Sequence, residues 1–130
     1  MHRARLEEMI TADAYARHLG FRLAGRGDAV AVEMTVGDEH LNFLGVTHGG
    51  AVFSLADCAF SLASNAAGAR AVAIDTHLVL TGGSKVGDVL TAVAEEAARG
   101  RTLGTYRITV SRGDARVIGL FTGTVHVSAD

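Results

Sequence analysis

The stretch His48-Gly49-Gly50-Ala51-Val52-Phe53-Ser54-Leu55-Ala56-Asp57-Cys58-Ala59-Phe60-Ser61-Leu62-Ala63-Ser64-Asn65-Ala66-Ala67 decides the fold. It is rich in Ala and Leu and ends before Gly68, so it reads as one helix. Val52, Phe53, Leu55, Ala56, Ala59, Phe60, Leu62 and Ala63 go right round that helix, the mark of a buried one. Yet Asp57 stands in its middle, where an unpaired carboxylate is costly. A partner, a hydrogen-bond network or a water-filled cleft must compensate. Partial burial would raise its pKa and make it a better base. The alternative is a structural Asp capping a neighbouring strand.

The start of the helix carries a second anomaly. Thr47 is a possible N-cap, and two glycines follow His48. Glycine in a helix interior costs about 1 kcal/mol. In the first turn it bares backbone N–H groups, which with the positive end of the helix dipole suit an oxyanion or a phosphate. Aimed at a carbonyl they form an oxyanion hole. Close packing of helix on sheet explains the same glycines. Gly49 and Asp57 are eight residues apart, about 12 Å along a helix axis. A base must lie within one hydrogen bond or one water of its target. If both act, Gly49 of one chain meets Asp57 of another, and a two-fold dimer makes two equal sites.

Outward from this helix the chain alternates turns with strands. Residues 4–18 read as a helix with Leu6, Met9 and Ile10 on one face, stopped at Gly20. Residues 21–25 and 29–36 form a hairpin around Gly25-Arg26-Gly27-Asp28, with Val30, Val32, Met34 and Val36 alternating against polar or small residues. A polar loop runs from Gly37 to Thr47. After the helix, Val72, Ile74, Thr76, Leu78 and Leu80 line one face of a strand. Further strands run through Val89, Thr91 and Val93, through Tyr106, Ile108 and Val110, and through Ile118, Leu120, Thr122 and Thr124. Short turns between consecutive strands predict a mostly antiparallel sheet with one helix to wrap, an α+β fold.

The 130 residues fit one domain over 1–130, with residues 1–19 as an N-terminal helical segment. Apolar residues make up 48% and charged residues 20%, enough core to argue against disorder. The net charge of -2 argues against nucleic acid as a partner. Eleven Arg and one Lys could still grip a small phosphorylated ligand. Cys58 is the only cysteine, which excludes an internal disulfide. Beside Asp57 it reads as a small core residue. The start has no apolar leader, and no stretch has the length of a membrane helix, so a cytoplasmic protein off the membrane is expected. The six histidines show no helical i+4 pair, and no metal is expected. Asp75 and His77 share a strand face, as a pair near the cleft or at a subunit interface.

The stretch Asn42-Phe43-Leu44-Gly45-Val46-Thr47-His48-Gly49-Gly50, continued through Phe53 and Leu55-Ala56-Asp57, resembles the hotdog thioesterases of the phenylacetate-degradation (PaaI-like) type. Ala59-Phe60, Ser64-Asn65, Ala73-Ile74-Asp75, Gly87-Asp88-Val89-Leu90 and Leu120 to Val125 extend the likeness over about residues 20–128. The resemblance implies a hotdog fold, an antiparallel sheet around one long helix. It implies hydrolysis of acyl-CoA, aryl acyl groups first, by a homo-oligomer, by family habit a tetramer, with no cofactor. Asp57 matches the catalytic carboxylate, acting as nucleophile or as base on water. Gly49 matches the N–H that binds the thioester oxygen, His48 the histidine that helps hold the carbonyl, and Asn42 the side chain that reaches in from the loop. Ser61, one turn beyond Asp57, matches a hydroxyl that steadies the water.

One departure concerns CoA. The strand after the helix usually ends in Arg-Pro in this family, whereas here Leu80 is followed by Thr81-Gly82-Gly83-Ser84-Lys85. The expected cation moves to Lys85, with Arg99 and Arg101 as further candidates; Lys85 and Arg101 stand as the CoA contacts. Two rival activities share this framework. One is a hotdog enoyl-thioester hydratase or dehydratase using His48 and a carboxylate. The other is a non-catalytic acyl-CoA-binding sensor, though the chain is too short for an attached DNA-binding segment.

Overall fold

The computed structural model describes residues 2–128. The N-terminal segment is two helices, α1 (Arg3–Ala12) and α2 (Ala14–Leu19), and not one. Asp13 breaks it: its backbone is extended, and its Oδ1 accepts the Ala16 N–H at 3.0 Å, capping α2. Gly20, in the left-handed region, ends α2 as expected.

Strands β1 (Arg22–Leu23), β2 (Val30–Thr35), β3 (Ala71–Leu80), β4 (Val89–Arg99), β5 (Leu103–Ser111) and β6 (Val117–Val127) form one sheet in the order β1-β2-β4-β5-β6-β3. Every pair is antiparallel. Helix α3 (Gly49–Asn65) lies against one face of the sheet, across β2 to β6. Its mate on the sheet is a set of facing positions: Val32 and Met34, Leu90 and Ala92, Ile108 and Val110, Phe121 and Val125, all buried. On β4 the inward set is therefore Leu90, Ala92 and Ala94, with Val89 and Val93 turned to the other face. On β6 the inward set is Phe121, Gly123 and Val125, while Leu120, Thr122 and Thr124 face out. A register shift near Ser111 leaves Ile118 and Gly119 both buried.

Strand β3 departs from the simple alternation. A bulge at Ile74, between Ala73 and Asp75, moves Val72 to the outer face while Thr76, Leu78 and Leu80 face the helix side. Asp75 and His77 do share a face, opposite Thr124 and Thr122, but it is the outer one, turned away from α3.

The C-terminal half of α3 is fastened at several points. Phe60 packs between Tyr106 and Phe121, with ring centroids 5.9 and 5.5 Å away. Gly123 makes room for it: a Cβ there would sit 2.7 Å from the Phe60 ring. The Asn65 amide donates to Ala71 O at 3.1 Å and accepts from Ala71 N–H at 2.9 Å, tying the helix end to the start of β3. Arg99, half-buried, donates to Ser64 O (2.9 Å) and Tyr106 Oη (2.7 Å), so it is a structural clamp and not a surface cation awaiting CoA.

Candidate active site

The helix that holds the site is not wrapped on every side. Its buried set is Ala51, Val52, Leu55, Ala56, Cys58, Ala59, Phe60, Leu62 and Ser64. Gly50, Phe53, Ser54, Asp57 and Ser61 recur three or four apart and form an open stripe. Asp57 therefore sits half-buried on a cleft of about 320 Å³. Ser61 lines the same cleft, together with Asp13, Tyr15, Ala16 and Phe21 from the N-terminal segment.

The Asp57 carboxyl titrates above its ordinary value of 3.8, first because burial strips water from the charged form, then because the Asp13 carboxylate repels it. The ion pairs among the described residues, Arg3–Glu7, Arg22–Glu33, Arg107–Glu95 and Arg112–Asp114, all leave Asp57 out. Among the described residues it is a carboxylate kept poorly solvated and without a cation, a setting that favours proton uptake. Cys58 next to it is buried, and burial, then Asp13 and Asp57, push its thiol up to about 12, so it stays an uncharged core group.

At the N-terminus of α3 the cap is His48 and not Thr47. His48 Nδ1 accepts the Gly50 N–H at 2.8 Å. Thr47 instead meets Ser84, Oγ1 to Oγ at 2.7 Å. Gly50 has to be glycine for this cap, since a Cβ would lie 2.9 Å from His48 Nδ1. With Nδ1 accepting, the neutral ring carries its proton on Nε2, a donor left over for a ligand. The Gly49 N–H, at the first helical position, has no intrahelical partner. Two donors thus stand together where the helix dipole is positive.

Asn42 belongs to the same end. Its loop is closed by a Leu41–Thr47 bridge and by the Asn42 N–H to Val46 O bond at 2.9 Å. Its Oδ1 accepts from Leu44 N–H (2.9 Å) and Val46 N–H (3.4 Å), which holds the side chain and leaves its NH₂ as a donor. His40, by contrast, is buried with Nδ1 accepting from Gly37 N–H and Nε2 donating to Leu19 O, and its own O accepts the His48 N–H at 2.7 Å. It builds the loop and has no ring nitrogen left for a metal. Among the described residues no three His, Cys, Asp or Glu side chains converge on one point.

Asn42, in the loop leading into α3, and His48 and Gly49, at its first turn, therefore lie toward one end of the helix, and Asp57 and Ser61 lie near its middle, so one helix keeps the two groups apart. Lys85 lies on a groove beyond the Thr47–Ser84 contact. Arg101 lies in the turn between β4 and β5, at the opposite end of the strands from Lys85. Asp13 and Tyr15 escaped the sequence reading; the signal available was an Asp three residues before Ala16 inside a run assigned to one helix.

Comparison with known proteins gives the family. The family model for the thioesterase superfamily matches residues 44–118, which include His48, Gly49 and Asp57. An esterase-type relative from Deinococcus radiodurans is 45% identical over 88% of this chain and 79% of its own. The acyl-coenzyme A thioesterase PaaI of Escherichia coli (strain K12) is 36% identical over 91% of this chain and 85% of its own. The solved structure of the E. coli PaaI protein from the phenylacetic acid degradation operon aligns at a TM-score of 0.92, 32% identity, covering 98% of this chain and 94% of that one. A Streptococcus pneumoniae thioesterase solved with coenzyme A aligns at 0.78, 27% identity, covering 83% and 85%. A six-stranded antiparallel sheet around a helix with a carboxylate on its open stripe, together with these likenesses, places the chain in the thioesterase superfamily, as a PaaI-like thioester hydrolase on the hotdog fold.

Proposed function

We propose that the protein hydrolyses acyl-CoA thioesters in sites shared between two chains, Asp57 coming from one and the Gly49 N–H from the other. The observation that carries this reading is the separation of the two groups along one helix, each complete in its own chemistry and each open. In the proposed sequence the thioester carbonyl oxygen accepts from Gly49 N–H and His48 Nε2–H, with the Asn42 amide beside it. Asp57 of the partner subunit attacks the carbonyl carbon or takes a proton from a water that does. The C–S bond breaks and CoA leaves as thiol; where Asp57 has attacked, a water then hydrolyses the mixed anhydride it forms, and on either route the free acid is released and the carboxylate restored. Ser61 is suited to hold the water, and aryl acyl groups suit a cleft walled by Phe53, Tyr15 and Phe21.

Three features support a second copy as the missing wall. Strand β3 is a ten-residue edge strand, and such an edge is a template for pairing. Its Ile74 and Leu80 are 61% and 52% exposed. Phe43, in the loop that carries Asn42, is 95% exposed. Antiparallel pairing of β3 with its two-fold mate would bring the Arg101 turn of one chain toward the Lys85 end of the other, which is how those two cations would serve one CoA. Two such dimers make the proposed tetramer, working in the cytoplasm; no described helix is long and apolar enough to cross a membrane.

Thiol release from a panel of aryl and medium-chain acyl-CoAs tests the reaction. Phenylacetyl-type esters should turn over fastest. Hydration of an enoyl-CoA without thiol release would instead favour the hydratase reading, and tight CoA-ester binding without turnover the sensor.

A further inference from the structure

A groove of about 880 Å³ opens beside the N-terminal end of α3, between the turn after β3 and the β5–β6 turn. It abuts the oxyanion donors through one link. Ser84 on its floor bonds Thr47 side chain to side chain at 2.7 Å and accepts the Thr47 N–H at 3.3 Å, and Thr47 precedes the His48 cap. Lys85, Arg112 and Arg116 line it, and so do Asp88 and Asp114.

The charges in the groove are not equivalent. Arg112 forks onto Asp114 (Nε–Oδ1 3.1 Å, Nη2–Oδ2 2.8 Å) and donates its Nη1 to Gly83 O at 2.9 Å. The Arg116 N–H adds a third bond to Asp114, at 3.2 Å, and this environment holds the Asp114 carboxyl down to about 2. Asp88 accepts the Lys85 backbone N–H at 2.9 Å, which shapes that turn. Both carboxylates are thus already engaged with donors. The Arg116 guanidinium and the Lys85 ammonium have no carboxylate partner among the described ion pairs. Arg116 also depends on a glycine: its Nε lies 3.1 Å from where a Cβ on Gly82 would stand. The Gly82-Gly83 run therefore admits one arginine over the end of β3 and gives the other a carbonyl to hold.

We propose that Arg116 and Lys85 hold phosphate groups of the CoA moiety in this groove, with Arg112 as a positioning residue that ties the β5–β6 turn to Gly83. This rests on the acyl-CoA reading above. A guanidinium fork matches phosphate oxygens two at a time, and an ammonium adds a point charge. The cation reaches the end of β3 from the facing turn, over Gly82.

The test is calorimetric titration of the whole protein with CoA and with pantetheine, which lacks the phosphates, using wild type, Arg116→Gln, Arg116→Lys and Lys85→Gln. The Kd for CoA should rise about tenfold for each charge removed, with Arg116→Lys losing less, while pantetheine should not separate the variants. In turnover, Arg116→Gln should raise KM for acyl-CoA more than it lowers kcat. Variants that bind CoA as tightly as wild type would overturn the proposal, and so would equal losses for CoA and pantetheine. Wild type that binds CoA through these residues yet releases no thiol would overturn the hydrolase reading alone. Failure of wild type to bind CoA would overturn both.

Discussion

The two halves of helix α3 are built by different rules. Ser61 apart, the C-terminal half is closed: Phe60 between two rings, Asn65 bonded twice to Ala71, Ser64 O held by Arg99. The N-terminal half ends in donors without acceptors, and its open stripe carries a carboxylate without a cation, among the described residues. The closed half satisfies every group it buries, as a stable core must. The open half leaves unsatisfied the groups a thioester would need. What separates them is the company each position keeps, since composition is similar along the whole helix.

Variants can break that contrast in order of expected effect. Asp57→Asn keeps the volume and removes the base, so thiol release should fall by ~10²–10⁴-fold, with the folded state intact by circular dichroism. A rate near wild type would remove Asp57 from the mechanism. Phe60→Ala acts on the closed half and should cost about 3–5 kcal/mol in denaturant unfolding, with chemistry untouched in whatever fraction stays folded. A loss under about 1 kcal/mol would mean that the site is less tightly packed than a core.

The smallest effects concern pH. Because burial and Asp13 raise the Asp57 pKa, its active carboxylate form appears only above that raised value. The acid limb of kcat/KM should therefore lie above the usual Asp range. Asp13→Asn keeps the α2 cap and removes the repulsion, so the limb should move to lower pH; an unmoved limb would take Asp13 out of the account. Stability follows with the same sign. A carboxyl whose folded pKa is raised binds more protons in the native state. Its contribution is fully present below 3.8 and is lost as pH rises through the folded value. Asp57→Asn should then melt higher than wild type at pH 7, with the advantage fading under acid conditions.

Much of this contrast is written in the sequence. The helix, the antiparallel strands and the misfit of Asp57 all follow from periodicity and from the cost of a buried charge. Other features depend on tertiary neighbours that periodicity cannot supply. The open stripe exists because the sheet reaches only part of the way round α3, so Phe53 is less buried than its hydrophobicity suggests. The Ile74 bulge reverses the face of half of β3, a one-residue shift with no clear mark in alternating apolar residues. His48, not Thr47, is the cap, and the threonine hydroxyl is bonded instead by Ser84, 37 residues away. Arg116 reaches the end of β3 across a different turn, a relation that spacing along the chain does not encode.

The claim on which all this depends is that one site needs two chains. Gly49→Pro tests it together with Asp57→Asn. Proline is accepted at a first helical position and lacks the N–H, and His48 already has the extended backbone that a following proline demands. Each variant alone should be nearly inactive. Unfolded together in equal amounts and refolded, they should recover about a quarter of wild-type thiol release, since half the dimers are mixed and each of those has one intact site. Activity no higher than the sum of the two separate variants, in a sample shown to contain mixed dimers, would contradict the shared site.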